Sequence, residues 1–260
     1  MRATQTRATQ TRATRSCVTS AALAPVRAMS AALAIGLAGC ASLMPQPRPA
    51  GDADIAFPLF TASGSLMEGW RMLRVWGTSH WKLVPDGGTD VAVAPLVEGS
   101  SSALVRWIDI DAEICPEVEW SWRVDELPEG ADLAHRATDD VAASIFFAFG
   151  DPGPLANPAP VPTLRYVWAT AANPEGSVID SPYFSGTLRS LVVRSGPAQL
   201  GTWVTERRNL RADFETAFGK PPPEPVRVMA LFTDNDHLKT PVRSFYRSAQ
   251  AWCTEEPGGL

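Results

Sequence analysis

The feature that most constrains this chain is a run of nine apolar or small residues, Val141–Phe149, bounded by turn residues at both ends. A strand covered on one face alternates polar and apolar residues, so an uninterrupted run predicts a strand buried on both faces. A similar run, residues 226–233, lies near the C-terminus. If these strands are antiparallel neighbours, the acid pair before the first and the acid pair after the second meet at one end of the sheet. We call these four side chains the acidic rim: Asp139, Asp140, Asp234 and Asp236.

The remaining pattern predicts an all-β fold. Residues 118–125 alternate strictly, with two Val and two Trp on one face and polar residues on the other, as in a strand with one core face. One segment, residues 209–218, instead has apolar residues four apart, a capping Asn at its start and Gly219 after its end. About ten short strands with one helix in this order predict a jelly-roll-like β-sandwich with one short helix near residues 209–218.

An export signal precedes the predicted domain. Residues 28–38 are an apolar run that follows Arg27 and leads into Leu-Ala-Gly-Cys, ending at Cys40. The run is too short for a bilayer core, which needs about 20 residues, and the basic flank and small residues predict a signal peptide. The ending resembles the bacterial lipobox, so residues 1–39 are expected to be removed and Cys40 lipidated; a chance Cys after an ordinary signal peptide is the alternative. A start at Val26 would give the same mature protein.

The mature chain is expected to be a Pro-rich tether, residues 40–54, a single sandwich domain, residues 55–253, and a tail, residues 254–260. These features place it in the bacterial cell envelope, anchored by lipid to a membrane, with the outer membrane facing the periplasm as the expected site. Loss of residues 1–39 removes five arginines and no acid, which leaves 18 basic against 28 acidic residues. Nucleic-acid binding requires clustered Lys and Arg, so an acidic domain argues against that partner.

Two of the four cysteines are left for the folded domain. Cys17 leaves with the signal, and Cys40 is taken by the lipid. In an oxidising compartment Cys115 and Cys253 are expected to form a disulfide. Two buried free thiols are the alternative.

A spaced set of motifs resembles one family of bacterial exported proteins, catalogued as domain of unknown function 3047. The motifs are Trp-x-Trp-Arg-Val (120–124), Asp-Asp-x-Ala (139–142), Tyr-Val-Trp (166–168), Val-Arg-Ser-Gly (193–196), Asp-Phe-x-x-x-Phe-Gly (213–219) and Thr-Asp-x-Asp (233–236). The resemblance implies a jelly-roll-like sandwich related in shape to carbohydrate-binding modules, an exported location and no established activity. The family pattern continues the last motif with Asn-Thr, where this chain has His237 and Leu238.

The acidic rim is the first candidate site. Clustered carboxylates are ligands for Ca²⁺, so Asp139, Asp140, Asp234 and Asp236 are candidate metal ligands and Ca²⁺ is the candidate cofactor. Close carboxylates repel one another, so an Arg must compensate them if no cation does. The candidates for this role are Arg123, Arg136 and Arg165. Solvated turn-forming Asp residues are the alternative interpretation.

An aromatic pair is the second candidate site. Tyr166 and Trp168 lie two apart and therefore share a strand face, on which a sugar ring could stack, with Arg123 as a polar contact. The alternative is that this face belongs to the core. Asp109 and Asp111 also share a face, which superficially resembles the acids of jelly-roll glucanases, but a solvated strand edge fits their surroundings better. No catalytic residue is assigned.

These observations favour a lipid-anchored, non-enzymatic β-sandwich of the cell envelope that binds a glycan or a similar polar ligand. One alternative is a hydrolase of envelope polysaccharide that uses the acidic rim, which requires two carboxyls at a fixed separation inside a cleft. A structural envelope protein without a small ligand is the other.

Overall fold

The computed structural model describes residues 55–59, 65–86, 91–154 and 157–254. These residues form two packed sheets and one α-helix, which confirms the predicted all-β sandwich. In chain order the strands are β1 (Ile55–Phe57), β2 (Trp70–Trp76), β3 (Ser79–Pro85), β4 (Val91–Val97), β5 (Ser101–Ile110), β6 (Glu117–Glu126), β7 (Val141–Phe149), β8 (Thr163–Ala169), β9 (Val178–Asp180), β10 (Leu188–Ser195), β11 (Val204–Asn209), β12 (Val226–Asp234) and β13 (Arg243–Trp252). The helix α1 (Leu210–Phe218) lies between β11 and β12.

The first sheet has six strands in the order β11-β6-β13-β4-β3, and β1 also pairs with β13. Strand β6 has the predicted alternation, so Trp120 and Trp122 are buried while Ser121 and Arg123 lie on the outer face. Strand β13 pairs with β6 on one side and with both β4 and β1 on the other. It therefore joins the parts of this sheet that come from the first half of the chain.

The second sheet has seven strands in the order β2-β5-β12-β7-β8-β10-β9. The two apolar runs, β7 and β12, are antiparallel neighbours at its centre, and Asp234 is set opposite Val141. Strand β12 also pairs with β5, where Asp234 is set opposite Ser101. Strands β8 and β10 form a parallel pair in this otherwise antiparallel sheet. The register of the central strands brings the two acid pairs to the same end.

Large aromatic rings fill the space between the sheets. The ring centroids of Trp120 and Tyr166 lie 4.9 Å apart, and those of Trp122 and Trp168 lie 6.1 Å apart. Each of these contacts joins β6 of the first sheet to β8 of the second. Aromatic pairs at such separations stabilise a core beyond the effect of their buried area.

Helix α1 closes one part of the core. The Asn209 side chain accepts a hydrogen bond from the Ala212 N–H at 2.8 Å, and Gly219 ends the helix with φ of 70°, a left-handed conformation that glycine adopts without strain. Phe214 on the buried face of the helix packs against Phe149 at a centroid distance of 4.4 Å. The helix therefore covers the end of β7 that lies away from the acidic rim.

Cys115 and Cys253 form a disulfide in the structure, with an S–S distance of 2.03 Å. The predicted signal peptide, the lipidation site Cys40, the tether and most of the tail lie outside the described residues. Within the described ranges, no helix has the length and apolar character needed to cross a membrane.

Candidate functional site

The acidic rim lies at the end of the seven-stranded sheet where β7 begins and β12 ends. Asp139 and Asp140 directly precede β7, Asp234 is the last residue of β12, and Asp236 follows it in the next turn. The Asp236 N–H donates to Asp234 Oδ1 at 3.1 Å. Antiparallel pairing of two buried strands thus brings the predicted acids together.

Arg165 compensates Asp139. The Arg165 Nη2 lies 3.3 Å from Asp139 Oδ1, and both side chains are almost completely buried. Burial raises the pKa of Asp139, while the guanidinium of Arg165 acts in the opposite direction. Arg165 is fixed in place by a hydrogen bond from its Nε to Ser190 Oγ at 2.7 Å. Of the three predicted arginine partners, this is the one that pairs with a rim carboxylate.

Backbone donors compensate Asp140. Its fully buried carboxylate accepts the N–H of His237 at 3.2 Å and the N–H of Leu238 at 2.8 Å. Asp236 is held differently, because its Oδ2 accepts a hydrogen bond from the Ser101 hydroxyl at 3.1 Å. These contacts fix the turn after β12 and hold the two carboxyl groups in place.

Asp234 carries the largest electrostatic penalty of the rim. Burial, followed by the charge of Asp236 and the charges of Asp140 and Asp139, raises the pKa of Asp234 to about 8. At neutral pH its carboxyl group therefore keeps its proton when no cation is bound. The rim then carries one negative charge fewer than it would with Asp234 ionised.

A histidine completes the cluster. Tyr183 donates its hydroxyl proton to the Arg136 carbonyl at 2.9 Å, and its oxygen lies 2.6 Å from His237 Nε2. The other ring nitrogen, Nδ1, lies 2.6 Å from Asp236 Oδ1 and 3.5 Å from Asp140 Oδ1. The imidazole of His237 therefore bridges the Tyr183 hydroxyl and the carboxyl groups of the acidic rim.

The ligand atoms of Asp140, Asp236 and His237 all lie within 4.8 Å of one another. The Oδ1 atom of Asp236 is buried, and its near polar neighbour is Nδ1 of His237 at 2.6 Å. Two carboxylates and one imidazole form a mixed oxygen and nitrogen ligand set, which suits ions such as Zn²⁺ or Mn²⁺ better than the all-oxygen set expected for Ca²⁺. The hydrogen bond from His237 to Tyr183 is of the kind that orients a ligating imidazole.

An exposed aromatic ring, that of Tyr183, lies beside this group. The rings of Tyr183 and His237 lie 5.9 Å apart, and the Arg136 guanidinium lies 4.9 Å from the centroid of the Tyr183 ring. Phe184, the next residue, is 60% exposed. Burial, followed by the charges of Asp139 and Asp236, raises the pKa of Tyr183. The hydroxyl lies 2.6 Å from His237 Nε2 and so is next to the rim.

The predicted aromatic platform of Tyr166 and Trp168 is wrong. Both side chains point between the sheets and are buried, with exposures of 0% and 1%. The Tyr166 hydroxyl donates to Asp213 at 2.8 Å, and the Trp168 indole donates to the Gly196 carbonyl at 3.3 Å. Their faces are covered by other rings, so no sugar can stack on them.

Arg123 does not belong to the acidic rim and contacts neither predicted platform residue. It lies on the outer face of the six-stranded sheet, where it pairs with Asp86 at 2.9 Å and Asp125 at 2.8 Å. Its guanidinium also lies 4.1 Å from the centroid of the Phe245 ring. These contacts stabilise the outer face of the six-stranded sheet. The prediction that Arg123 binds a ligand together with Tyr166 and Trp168 is therefore also wrong.

The side chains of Asp109 and Asp111 are exposed to solvent. Asp109 is 71% exposed at its side chain and pairs with Arg227 at 2.6 Å. Asp111 accepts the N–H of Glu113 at 2.8 Å within a turn. The arrangement agrees with the solvated interpretation of this segment.

Sequence reasoning missed Tyr183 and Phe184 and did not count His237 among the rim ligands. Tyr183 and Phe184 lie in the segment between β9 and β10, which has no regular pattern, so their position depends on tertiary structure. For His237 a signal was present, because the residue directly follows the Thr-Asp-x-Asp motif and replaces the family's Asn.

Several solved structures match the chain at low similarity. The endoglucanase cel12A from Rhodothermus marinus matches with 15% identity and a TM-score of 0.43, over 74% of this chain and 94% of that one. The carbohydrate recognition domain of Emp46p in its potassium-bound form matches with 10% identity and a TM-score of 0.37, over 76% and 96%. The enzymatically active domain of tailspike protein 4 from bacteriophage CBA120 matches with 8% identity and a TM-score of 0.39, over 76% of this chain but 22% of that one. At these scores the likenesses carry no argument about activity.

No curated protein matches the sequence significantly. A family model described as "Protein of unknown function (DUF3047)" matches residues 68–250. The matched region begins just before β2 and ends within β13, so it contains the acidic rim and the exposed residues Tyr183 and Phe184. It covers most of the chain. The chain is therefore a member of the DUF3047 family.

Proposed function

We propose that this protein binds a polar ligand of the glycan class at the acidic rim, through a divalent cation held by Asp140, Asp236 and His237. The observation that carries the proposal is the convergence of these three ligand atoms within 4.8 Å, beside the exposed ring of Tyr183, which Phe184 follows in the chain. The cation compensates the charges of the Asp140 and Asp236 carboxyl groups. It also leaves coordination positions for oxygen atoms of a ligand.

The aromatic neighbours supply the second part of a sugar site. Sugar rings present hydroxyl oxygens at their edges and C–H groups on their faces, so they fit a polar group next to an aromatic ring. Tyr183 is fixed by its hydrogen bonds to Arg136 and His237, whereas Phe184 is free to offer one face. The proposal therefore assigns hydroxyl binding to the cation and the rim, and stacking to Phe184.

Titration of the full chain with Zn²⁺, Mn²⁺ and Ca²⁺ tests the cation. A cation at 100 times its Kd adds about 2.7 kcal/mol to the free energy of unfolding, which raises the melting temperature until a chelator is added. Asp236→Asn is expected to weaken binding of each ion. His237→Asn is expected to weaken binding of Zn²⁺ and Mn²⁺ more than binding of Ca²⁺, because it replaces a nitrogen ligand by an amide oxygen.

His135→Asn is the matched control, because His135 is an exposed histidine that pairs with Asp132 at 3.0 Å outside the rim. This variant is expected to bind cations like the parent. A melting temperature that no cation changes, or an equal loss in His135→Asn and His237→Asn, contradicts the cation site.

A glycan array with and without chelator tests the ligand. Binding is expected to require the cation, and Phe184→Ala is expected to lower glycan binding while leaving cation affinity unchanged. An array without hits in the presence of cation supports the structural role instead, and release of reducing ends from envelope polysaccharide supports the hydrolase.

For its location we propose a lipid anchor on Cys40 that holds the domain at the cell envelope, at the outer membrane facing the periplasm. The support is the lipobox-like Leu-Ala-Gly-Cys after an apolar run. Metabolic labelling with a fatty acid is expected to label the parent and not Cys40→Ser. An unlabelled parent protein contradicts the anchor.

A further inference from the structure

Strand β2 is an edge of the seven-stranded sheet and has an unusual surface. It pairs with β5 on one side only. Met72, Val75 and Trp76 are 51%, 56% and 65% exposed. The two arginines of this strand and the register shift between Arg74 and Trp76 are features that protect an edge from pairing with another strand. Single exposed apolar residues need no explanation. Three large exposed apolar side chains within five residues of one edge indicate a partner.

The charges on this edge indicate what the partner is. Arg71 and Arg74 are exposed between the apolar side chains, and neither forms an ion pair with any residue in the described ranges. Guanidinium groups bind phosphate through paired donors. Trp and Arg together are typical of surfaces at the membrane interface, where the ring lies at headgroup level and the cation contacts phosphate.

The chain also enters the domain at this edge. The Trp70 indole at the start of β2 donates to the Pro58 carbonyl at 2.9 Å, directly after β1. The Arg106 guanidinium lies 5.7 Å from the Phe57 ring and 5.9 Å from the Trp70 ring, so it joins both segments. The residues between Cys40 and Ile55 span at most about 50 Å when extended. A chain anchored before residue 55 would hold this edge close to the membrane.

We propose that the β2 edge rests on the surface of a bilayer that contains anionic lipid. Met72, Val75 and Trp76 enter the boundary between headgroups and acyl chains, while Arg71 and Arg74 contact lipid phosphates. This contact is independent of the cation and glycan proposal. It is also independent of the acyl chain itself, because the strand provides its own apolar and cationic groups.

An environment-sensitive dye on Val75 tests the contact. The full chain carries Cys17→Ser and Cys40→Ser, and Cys115 and Cys253 are joined in a disulfide, so Val75→Cys gives the reactive thiol. Vesicles of phosphatidylcholine with phosphatidylglycerol are then added. The dye is expected to shift to the blue with an intensity gain of about twofold, because position 75 moves into the interface.

Val178→Cys is the matched control, since Val178 is an exposed valine on β9, the opposite edge strand of the same sheet. Its dye is expected to stay unchanged, and Arg71→Glu with Arg74→Glu is expected to remove most of the shift at position 75. Residues 1–39 are common to all variants, so their own binding to vesicles cannot produce this difference. Equal shifts at both positions, or no shift at position 75, would overturn the proposal. A shift at position 75 that grows with protein concentration in lipid-free buffer would also overturn it, in favour of pairing between two copies.

Discussion

At the residue scale, the acidic rim shows three ways of placing a carboxyl group at low exposure. Asp139 has Arg165 as a counter-ion, Asp140 has two backbone N–H donors, and Asp234 keeps a proton. The strand patterns were sufficient to predict that the acids meet. They could not predict how each charge is compensated, because burial and the direction of backbone donors arise only when the turn after β12 packs on β7.

The proton on Asp234 predicts a pH dependence of stability. Its pKa in the folded protein is about 8, above the ordinary 3.8, so the folded state binds more protons than the unfolded state between these values. The free energy of unfolding therefore falls as pH rises through this range. Asp234→Asn keeps the oxygen that accepts the Asp236 N–H and removes the charge. At pH 9 the free energy of unfolding of the variant is expected to exceed that of the parent by at least about 1.4 kcal/mol, the equivalent of one pKa unit.

Urea unfolding at pH 5, 7 and 9 in chelating buffer measures this difference. Asp109→Asn changes an exposed acid on β5 and is expected to keep the slope of the parent. An Asp234→Asn protein with the same loss of stability toward high pH as the parent would show that Asp234 is ionised at neutral pH.

At the element scale, a helix or strand can be predicted from sequence when its own residues show the pattern of that structure. Strand β6 and helix α1 were predicted because alternation and capping are properties of the segments themselves. Strand β2 has no such local signal, because Trp-Arg-Met-Leu-Arg-Val-Trp neither alternates nor forms an apolar run, and its edge position is set by pairing with β5. Strand β11 is a charged segment that packs against the core because Glu206 pairs with Arg194 at 2.6 Å.

The same reasoning explains the error at Tyr166 and Trp168. Their spacing correctly places both rings on one face of β8, but the other face, with Arg165, Val167 and Ala169, is buried as well. The pattern therefore cannot tell which face lies between the sheets.

The caps of α1 predict the stability of that element. Asn209→Ala removes the acceptor for the Ala212 N–H and is expected to lower the free energy of unfolding by about 1 kcal/mol. Asn209→Asp keeps an acceptor at the same place and is expected to stay within a few tenths of a kcal/mol of the parent. Thermal and urea unfolding measure both variants. Equal losses would indicate that the Asn209 side chain contributes through packing and not through the cap.

At the scale of the whole molecule, the disulfide closes a long loop. Cys115 and Cys253 are separated by 138 residues. In the chain-entropy model a bridge across such a loop stabilises the fold by about 4–5 kcal/mol. Cys115→Ser combined with Cys253→Ser is expected to lower the free energy of unfolding by an amount of this order in urea titrations. Thiol titration of the unfolded, unreduced protein is expected to find neither cysteine free, and an unchanged urea midpoint in the double variant would contradict the stabilising role.

Strand β13 has a consequence for the order in which the molecule is assembled. In the six-stranded sheet it lies between β6 and the strands β1 and β4, and among the described strands it is the last to be synthesised. The earlier strands of that sheet have no continuous hydrogen-bonded framework until it arrives, and contacts between residues far apart in sequence make folding slow. Until residues 243–252 have been synthesised, β6 and β4 therefore lack the strand that pairs with both of them, and the six-stranded sheet cannot form.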